Sequence, residues 1–158
     1  MAYASVNLSE AIDSNFRKRE FIYRQSLQTN PNNIHALRDF GNMLAKANQP
    51  EEAEKLLRRA AELEPNDALI QRYLGDCLLG QEKLEQATKS FERAIELDSE
   101  DLDANHSLIS CLFKLGRPDE ANKITEKAIA LATRQGRIGV KKEILKTWKA
   151  RRRLVAED

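Results

Sequence analysis

Small and apolar residues return along this chain with a fixed period of 34 positions. Each period holds two amphipathic segments whose apolar residues lie three to four positions apart, the spacing of one face of an α-helix. Four registers carry the period: Leu44, Leu78 and Leu112; Ala53, Ala87 and Ala121; Ala60, Ala94 and Ala128; Leu63, Leu97 and Leu131. Such a period predicts stacked units of helix, turn and helix, each of which buries its apolar face only against a neighbour.

Turn residues separate the helical segments at the same places in each period. The two segments of a unit are divided at 48–50, 81–83 and 116–118. Pro50 and Pro118 suit the first turn of a helix, where a missing N–H costs nothing. Pro31 and Pro65, each followed by Asn, are placed to end the preceding helix.

The middle copy resembles the tetratricopeptide repeat, a helix–turn–helix of 34 residues, at Leu74, Gly75, Leu78, Ala87, Phe91 and Ala94. Gly41 and Gly75 leave room for a facing helix. The third copy departs from the pattern at Ile109, where a small residue is usual, and at Thr125, where a large apolar one is. The resemblance extends over about residues 16–134.

The resemblance implies an all-α, right-handed α-solenoid with a C-terminal amphipathic capping helix. The implied organisation is an N-terminal segment with a partial repeat (1–33), three repeats (34–67, 68–101 and 102–135) and a basic cap (136–158). Composition agrees with a single domain of 158 residues that is rich in helix formers. Apolar runs are too short for a membrane span, and residues 1–13 lack the pattern of a signal peptide. A cytoplasmic location is the default expectation.

Few residues suggest chemistry. Cys77 and Cys111 are 34 positions apart on first helices of adjacent repeats, where Met43 fills the matching position, so buried packing is favoured over a redox role. His35 and His106 are expected at the surface, without metal-ligand spacing. No phosphate loop or nucleophile motif is present. We therefore expect no catalytic activity, no cofactor and no metal.

In tetratricopeptide arrays the first helices line a groove for an extended peptide or a partner helix. The resemblance implies that the groove stripe comprises His35, Arg38, Asn42, Ala45 and Lys46; Leu69, Arg72, Tyr73, Asp76 and Leu79; and Asp103, His106, Ser107, Ser110 and Phe113. The alternative is an idle solvated face. Arg38 and Asn42 match the start of the carboxylate clamp of chaperone-binding repeats, but Asp103 would repel a carboxylate.

The end of the chain is strongly basic. Residues 134–155 hold nine cations and one anion, although the whole chain carries a net charge of only +1. One predicted helix face holds Lys142, Lys146, Lys149 and Arg153, and the apolar face is expected to dock Ile144 and Trp148 near Ile129. Capping of the stack is one role. Association with an acidic partner, nucleic acid or an anionic surface is the other.

These features favour a protein-interaction scaffold or adaptor that binds a protein or peptide in the groove. A small chaperone for secreted substrates is one alternative, although the residues that mark that family are not found here. Nucleic-acid or anionic-surface association through the basic helix is another, supported by charge alone. The sequence indicates neither the partner nor the oligomeric state.

Overall fold

The computed structural model describes the backbone of residues 2–155 and the side chains of residues 14–146, 148 and 149. Over that backbone the chain forms eight α-helices and no strand. They are α1 (Ala2–Thr29), α2 (Ile34–Lys46), α3 (Pro50–Leu63), α4 (Ala68–Gly80), α5 (Leu84–Leu97), α6 (Leu102–Lys114), α7 (Pro118–Arg134) and α8 (Ile138–Val155). The chain divides into two compact units, Met1–Glu64 and Pro65–Asp158.

The first helix of each repeat begins at a side-chain cap. The Asn33 side chain accepts a hydrogen bond from the backbone N–H of Ala36 before α2. Asp67 and Asp101 accept two backbone N–H bonds each at the starts of α4 and α6. These residues recur every 34 positions and satisfy donors that have no partner within the helix.

The turn inside each repeat contains one residue with left-handed backbone. Asn48 has φ 59°, Glu82 has φ 57° and Gly116 has φ 70°. Glycine adopts this conformation without strain and asparagine tolerates it, whereas a glutamate there is conformationally costly. The turn geometry is therefore kept while the residue type varies.

In the first unit, α2 packs on α3 through a close approach at a glycine. A Cβ built on Gly41 would lie 2.7 Å from Cγ of Leu57. Leu37, Phe40 and Leu44 are buried on α2. The long helix α1 packs on α2, where the ring of Tyr23 stacks on Phe40 at 5.5 Å between centroids.

In the second unit, each helix from α4 to α8 packs on the next. The side chains that fill the interface between the two helices of a repeat differ between the second and the third repeat. Gly75 lies against the ring of Phe91 in the α4–α5 pair. At the equivalent positions of α6 and α7, Ile109 and Thr125 are both buried, and the Thr125 hydroxyl donates to the Ala121 carbonyl at 2.7 Å. In the second repeat the larger side chain of the pair is therefore on the second helix, whereas in the third repeat it is on the first helix.

The last helix closes the second unit, as predicted from its apolar face. Ile144 is buried with residues of α6 and α7, and Ile129 packs against the same cluster. Trp148 is half-buried, and its Nε1–H donates to Oδ1 of Asn122 on α7 at 2.6 Å. Cys77 and Cys111 are both buried and are not joined by a disulfide, in agreement with a packing position.

Candidate functional site

The predicted groove residues of the first unit lie along α2 and differ in exposure. His35 and Lys46 are exposed, whereas Arg38, Asn42 and Ala45 are half-buried. Arg38 Nε donates to Oδ1 of Asp39 at 2.8 Å, so this guanidinium already holds a carboxylate.

Two of these residues, Asn42 and Lys46, line a pocket of about 570 Å³ between α1 and α2. Its remaining lining residues are Phe16, Arg19, Asp39, Met43, Ala47 and Gln49. The predicted groove omitted Phe16 and Arg19, because a groove of first helices alone leaves α1 out. It also omitted the other four, which lie on or just after α2 but outside the predicted stripe. The one available signal was that the partial repeat had to place a helix beside α2.

The α1 wall of this pocket is held by a cluster around Arg24. Its guanidinium donates to both carboxylate oxygens of Glu52 on α3, at 2.8 and 3.1 Å, and to Oε1 of Glu20. These hydrogen bonds raise the pKa of Arg24 above its ordinary value. The same guanidinium lies 5.2 Å from the ring centre of Phe40, a cation–π distance.

In the second unit, Arg72 is the centre of a polar network. Its Nε lies 2.9 Å from Oδ2 of Asp101, and Nη1 lies 3.6 Å from Oδ2 of Asp76. The Nε contact is an ion pair that lacks hydrogen-bond alignment. Cζ lies 4.9 Å from the ring centre of Tyr73. Arg72 is therefore engaged within the fold.

Asp76 joins this network to α6. Ser107 Oγ donates to its Oδ1 at 3.3 Å, so two predicted groove residues from adjacent repeats are in contact. Burial of the carboxylate raises its pKa, and the charges of Asp101 and Asp103 add to the rise. Arg72 and the Ser107 hydroxyl oppose it.

The other predicted residues of this unit have unequal access to solvent. Asp103 is exposed, and Leu69, Leu79, His106 and Ser110 are half-buried. Both histidines were expected at the surface, and His35 is indeed exposed. His106 is only half-buried, but its Nε2 atom is enclosed and has no hydrogen-bond partner among the described residues. Phe113 is half-buried and packs against the α6–α7–α8 cluster.

The basic face of α8 is solvated in its described part. Lys142, Lys146 and Lys149 are exposed, whereas the side chain of Arg153 lies outside the described residues. All four arginines between positions 65 and 134 have a carboxylate within 4 Å: Arg72, Arg93, Arg117 and Arg134. The three α8 lysines have no such partner among the side chains that the structure describes.

The described residues hold neither a metal-binding cluster nor a membrane-spanning helix. Among the described residues, no group of three or more His, Cys, Asp or Glu side chains is arranged to hold a metal ion. In the same part of the chain, no helix has both the length and the apolarity of a membrane span.

Comparisons with known proteins address the fold. Two family models described as tetratricopeptide repeat match residues 38–101 and 78–138. No curated protein matches the chain. A crystal structure of MamA is 21% identical, with a TM-score of 0.72 over 95% of this chain and 96% of that one.

Two further solved structures are similar. YrrB, described as a TPR protein with an unusual peptide-binding site, is 25% identical, with a TM-score of 0.63 over 69% of this chain and 56% of that one. A chain of a T3SS complex from Aeromonas hydrophila is 17% identical, with a TM-score of 0.73 over 79% and 84%. The helical structure and these neighbours confirm the predicted all-α solenoid class.

Proposed function

The chain belongs to the tetratricopeptide repeat family, and from that premise we propose that it is a non-enzymatic scaffold or adaptor. In this proposal it holds a segment of a partner protein on the solvent-facing sides of its first helices. We name the part formed by α4 and α6 the first-helix face; it comprises Leu69, Arg72, Tyr73, Asp76, Leu79, Asp103, His106, Ser107 and Ser110. The proposal includes a cytoplasmic location, on the sequence argument alone.

One observation carries the proposal. The hydrogen bond between Ser107 and Asp76 brings together side chains that belong to consecutive repeats and are not part of the apolar core. Leu69, Tyr73 and Leu79 are half-buried and lie three or seven positions from Asp76 along α4, so they share its face of the helix. A partly exposed surface that mixes apolar area with a few polar groups is suited to a peptide.

The repeat boundaries at 34, 68 and 102 belong to the same proposal. They are supported by the capping residues Asn33, Asp67 and Asp101, each of which precedes a first helix. The similarity to YrrB, a peptide-binding protein by its description, supports the general role. The similarity to the T3SS complex bears on the fold alone, so the secretion-chaperone alternative stays a prediction.

Arg72 is a poor probe of binding, because its removal would leave Asp101 without its ion-pair partner. A cleaner variant combines Tyr73→Ala with Asp103→Ala. Its control is Lys89→Ala with Glu92→Ala, two exposed positions on α5. Peptides selected from a display library on the full chain are then measured against both variants.

We expect the first-helix-face variant to weaken selected peptides by roughly 30-fold, the effect of losing about 2 kcal/mol at an interface hot spot. The control should bind them like the wild type, and both variants should keep the wild-type circular dichroism spectrum. If the selected peptides bind the first-helix-face variant and the control with equal affinity, the peptide site lies elsewhere and the proposal is refuted.

A second candidate function rests on Lys142, Lys146 and Lys149 of α8, which have no carboxylate partner among the described side chains. We propose weak association of this face with polyanions, in which binding weakens with salt by a slope of about 0.9 per phosphate contact. Replacing Lys142, Lys146 and Lys149 by Gln should reduce the slope for duplex DNA by roughly 3. Replacement of Lys123 and Lys127, exposed on α7, is the control. Equal slopes in both variants would refute this role.

A further inference from the structure

The pocket between α1 and α2 has an uneven distribution of charge. Arg19 of α1 and Lys46 of α2 both line the pocket, and both side chains are exposed. Neither has an ion-pair partner among the described side chains. The anion of the lining, Asp39, already accepts a hydrogen bond from Arg38. The pocket therefore presents two uncompensated cations.

The rest of the lining is apolar or amidic. Met43 is only 8% exposed, and the ring of Phe16 is half-buried, so together with Ala47 they form an apolar surface. Asn42 and Gln49 add amide groups that both donate and accept hydrogen bonds. A volume of about 570 Å³ lies within the usual range of roughly 300–1,000 Å³ for ligand sites.

We infer that this pocket binds an acidic side chain of a peptide that carries an apolar side chain nearby. The carboxylate would lie between Arg19 and Lys46, and the apolar neighbour would contact Phe16 and Met43. Opposite charge supplies the preference for Asp or Glu over Lys. The inference rests on the proposed function and adds to it a second subsite, built partly from α1.

The site is distinct from the first-helix face. It uses Phe16 and Arg19, which belong to the helix before the first complete repeat. That helix is fixed by the contacts of Arg24 with Glu52 and of Tyr23 with Phe40. The pocket wall is thus held in place by side chains that do not line the pocket.

The test uses blocked hexapeptides that contain Leu-Ala-Glu, Leu-Ala-Gln or Leu-Ala-Lys, so that no terminal carboxylate is present. Fluorescence anisotropy with the full chain should rank the Glu peptide first. Lys46→Glu should weaken the Glu peptide about tenfold, as expected when an exposed ion pair becomes a repulsion, and should strengthen the Lys peptide. Arg19→Glu should act in the same way.

The matched control is Lys55→Glu, an equal charge change at an exposed position of α3 that does not line the pocket. Two outcomes would overturn the inference: equal affinity for the three peptides, or equal loss of affinity for the Glu peptide in Lys55→Glu and Lys46→Glu. If library peptides depend on Tyr73 while none responds to Lys46→Glu, the proposed function stands and this subsite fails.

Discussion

Gly75 and Phe91 are packed so closely that a Cβ on Gly75 would lie 2.6 Å from Cε1 of the ring and within 3 Å of two more ring atoms. Phe91 is fully buried, so its ring has little freedom to move aside. The separation of α4 and α5 is therefore limited by backbone against an aromatic ring. Gly41 and Leu57 form the equivalent contact between α2 and α3.

Replacing Gly75 by Leu should destabilise the protein by about 1–3 kcal/mol, because added atoms force the packed helices apart. Gly80→Ala on the same helix is the control, since nothing lies within 4 Å of its Cβ position. That change should be neutral or stabilising by up to about 1 kcal/mol. Thermal denaturation followed by circular dichroism measures both. A similar loss at the two positions would contradict the close approach.

Ile109 and Thr125 should be energetically coupled, because their positions in the third repeat are equivalent to those of Gly75 and Phe91, which are in contact in the second. Thr125→Phe alone overfills the α6–α7 interface, and Ile109→Gly alone opens a cavity. The double variant restores the pairing of the second repeat. Its loss of stability should be smaller than the sum of the single losses by at least about 0.5 kcal/mol. Additive losses would show that the two side chains do not share one space.

Ile109 and Thr125 also show how much of the structure could be predicted from the sequence. The 34-residue period predicted the helix pairs, and Gly41 and Gly75 were predicted to leave room for a facing helix, whereas the caps at Asn33, Asp67 and Asp101 were not predicted. Ile109 and Thr125 were both visible as departures, but only packing relates one to the other. Likewise, periodicity placed Arg72 on an exposed stripe, whereas its pairing with Asp101 depends on rotamers and on the distance between α4 and α6. The α1–α2 pocket depends on a helix outside the repeat pattern.

Gly116 and Gly139 separate the effect of backbone conformation from that of packing. Neither has an atom within 4 Å of its Cβ position, but only Gly116 has a positive φ, 70°. Gly116→Ala should destabilise by about 1 kcal/mol, because an L-residue is strained there. Gly139→Ala, within α8, should stabilise by up to about 1 kcal/mol. Chemical denaturation that ranks the two variants in the reverse order would contradict the turn geometry.

The docking of α8 predicts a sharp difference between neighbouring positions. Ile144 is 1% exposed in the cluster with α6 and α7, whereas Lys146 is exposed. Ile144→Ala should cost about 2–5 kcal/mol, and Lys146→Ala should stay within about 0.5 kcal/mol. Urea denaturation measures both. If Ile144→Ala melts like the wild type, α8 does not cap the stack and its basic face is part of a free arm.

Asp76 predicts an unusual dependence of stability on pH. Its pKa is raised above 3.8 in the folded protein, chiefly by burial. The folded state therefore binds this proton more tightly, and the contribution of Asp76 to stability falls as pH rises from the unfolded pKa through the folded one. Asp76→Asn removes a partly buried charge and keeps an acceptor for Ser107. The variant should melt at a higher temperature than the wild type at pH 7, and this difference in melting temperature should shrink as the pH falls from the folded pKa to the unfolded one.

Glu126→Gln, exposed on α7, controls for the loss of one negative charge. If Asp76→Asn melts below the wild type at pH 7, the attraction between Asp76 and Arg72 exceeds the cost of burial, and the first-helix face needs that charge for its own stability.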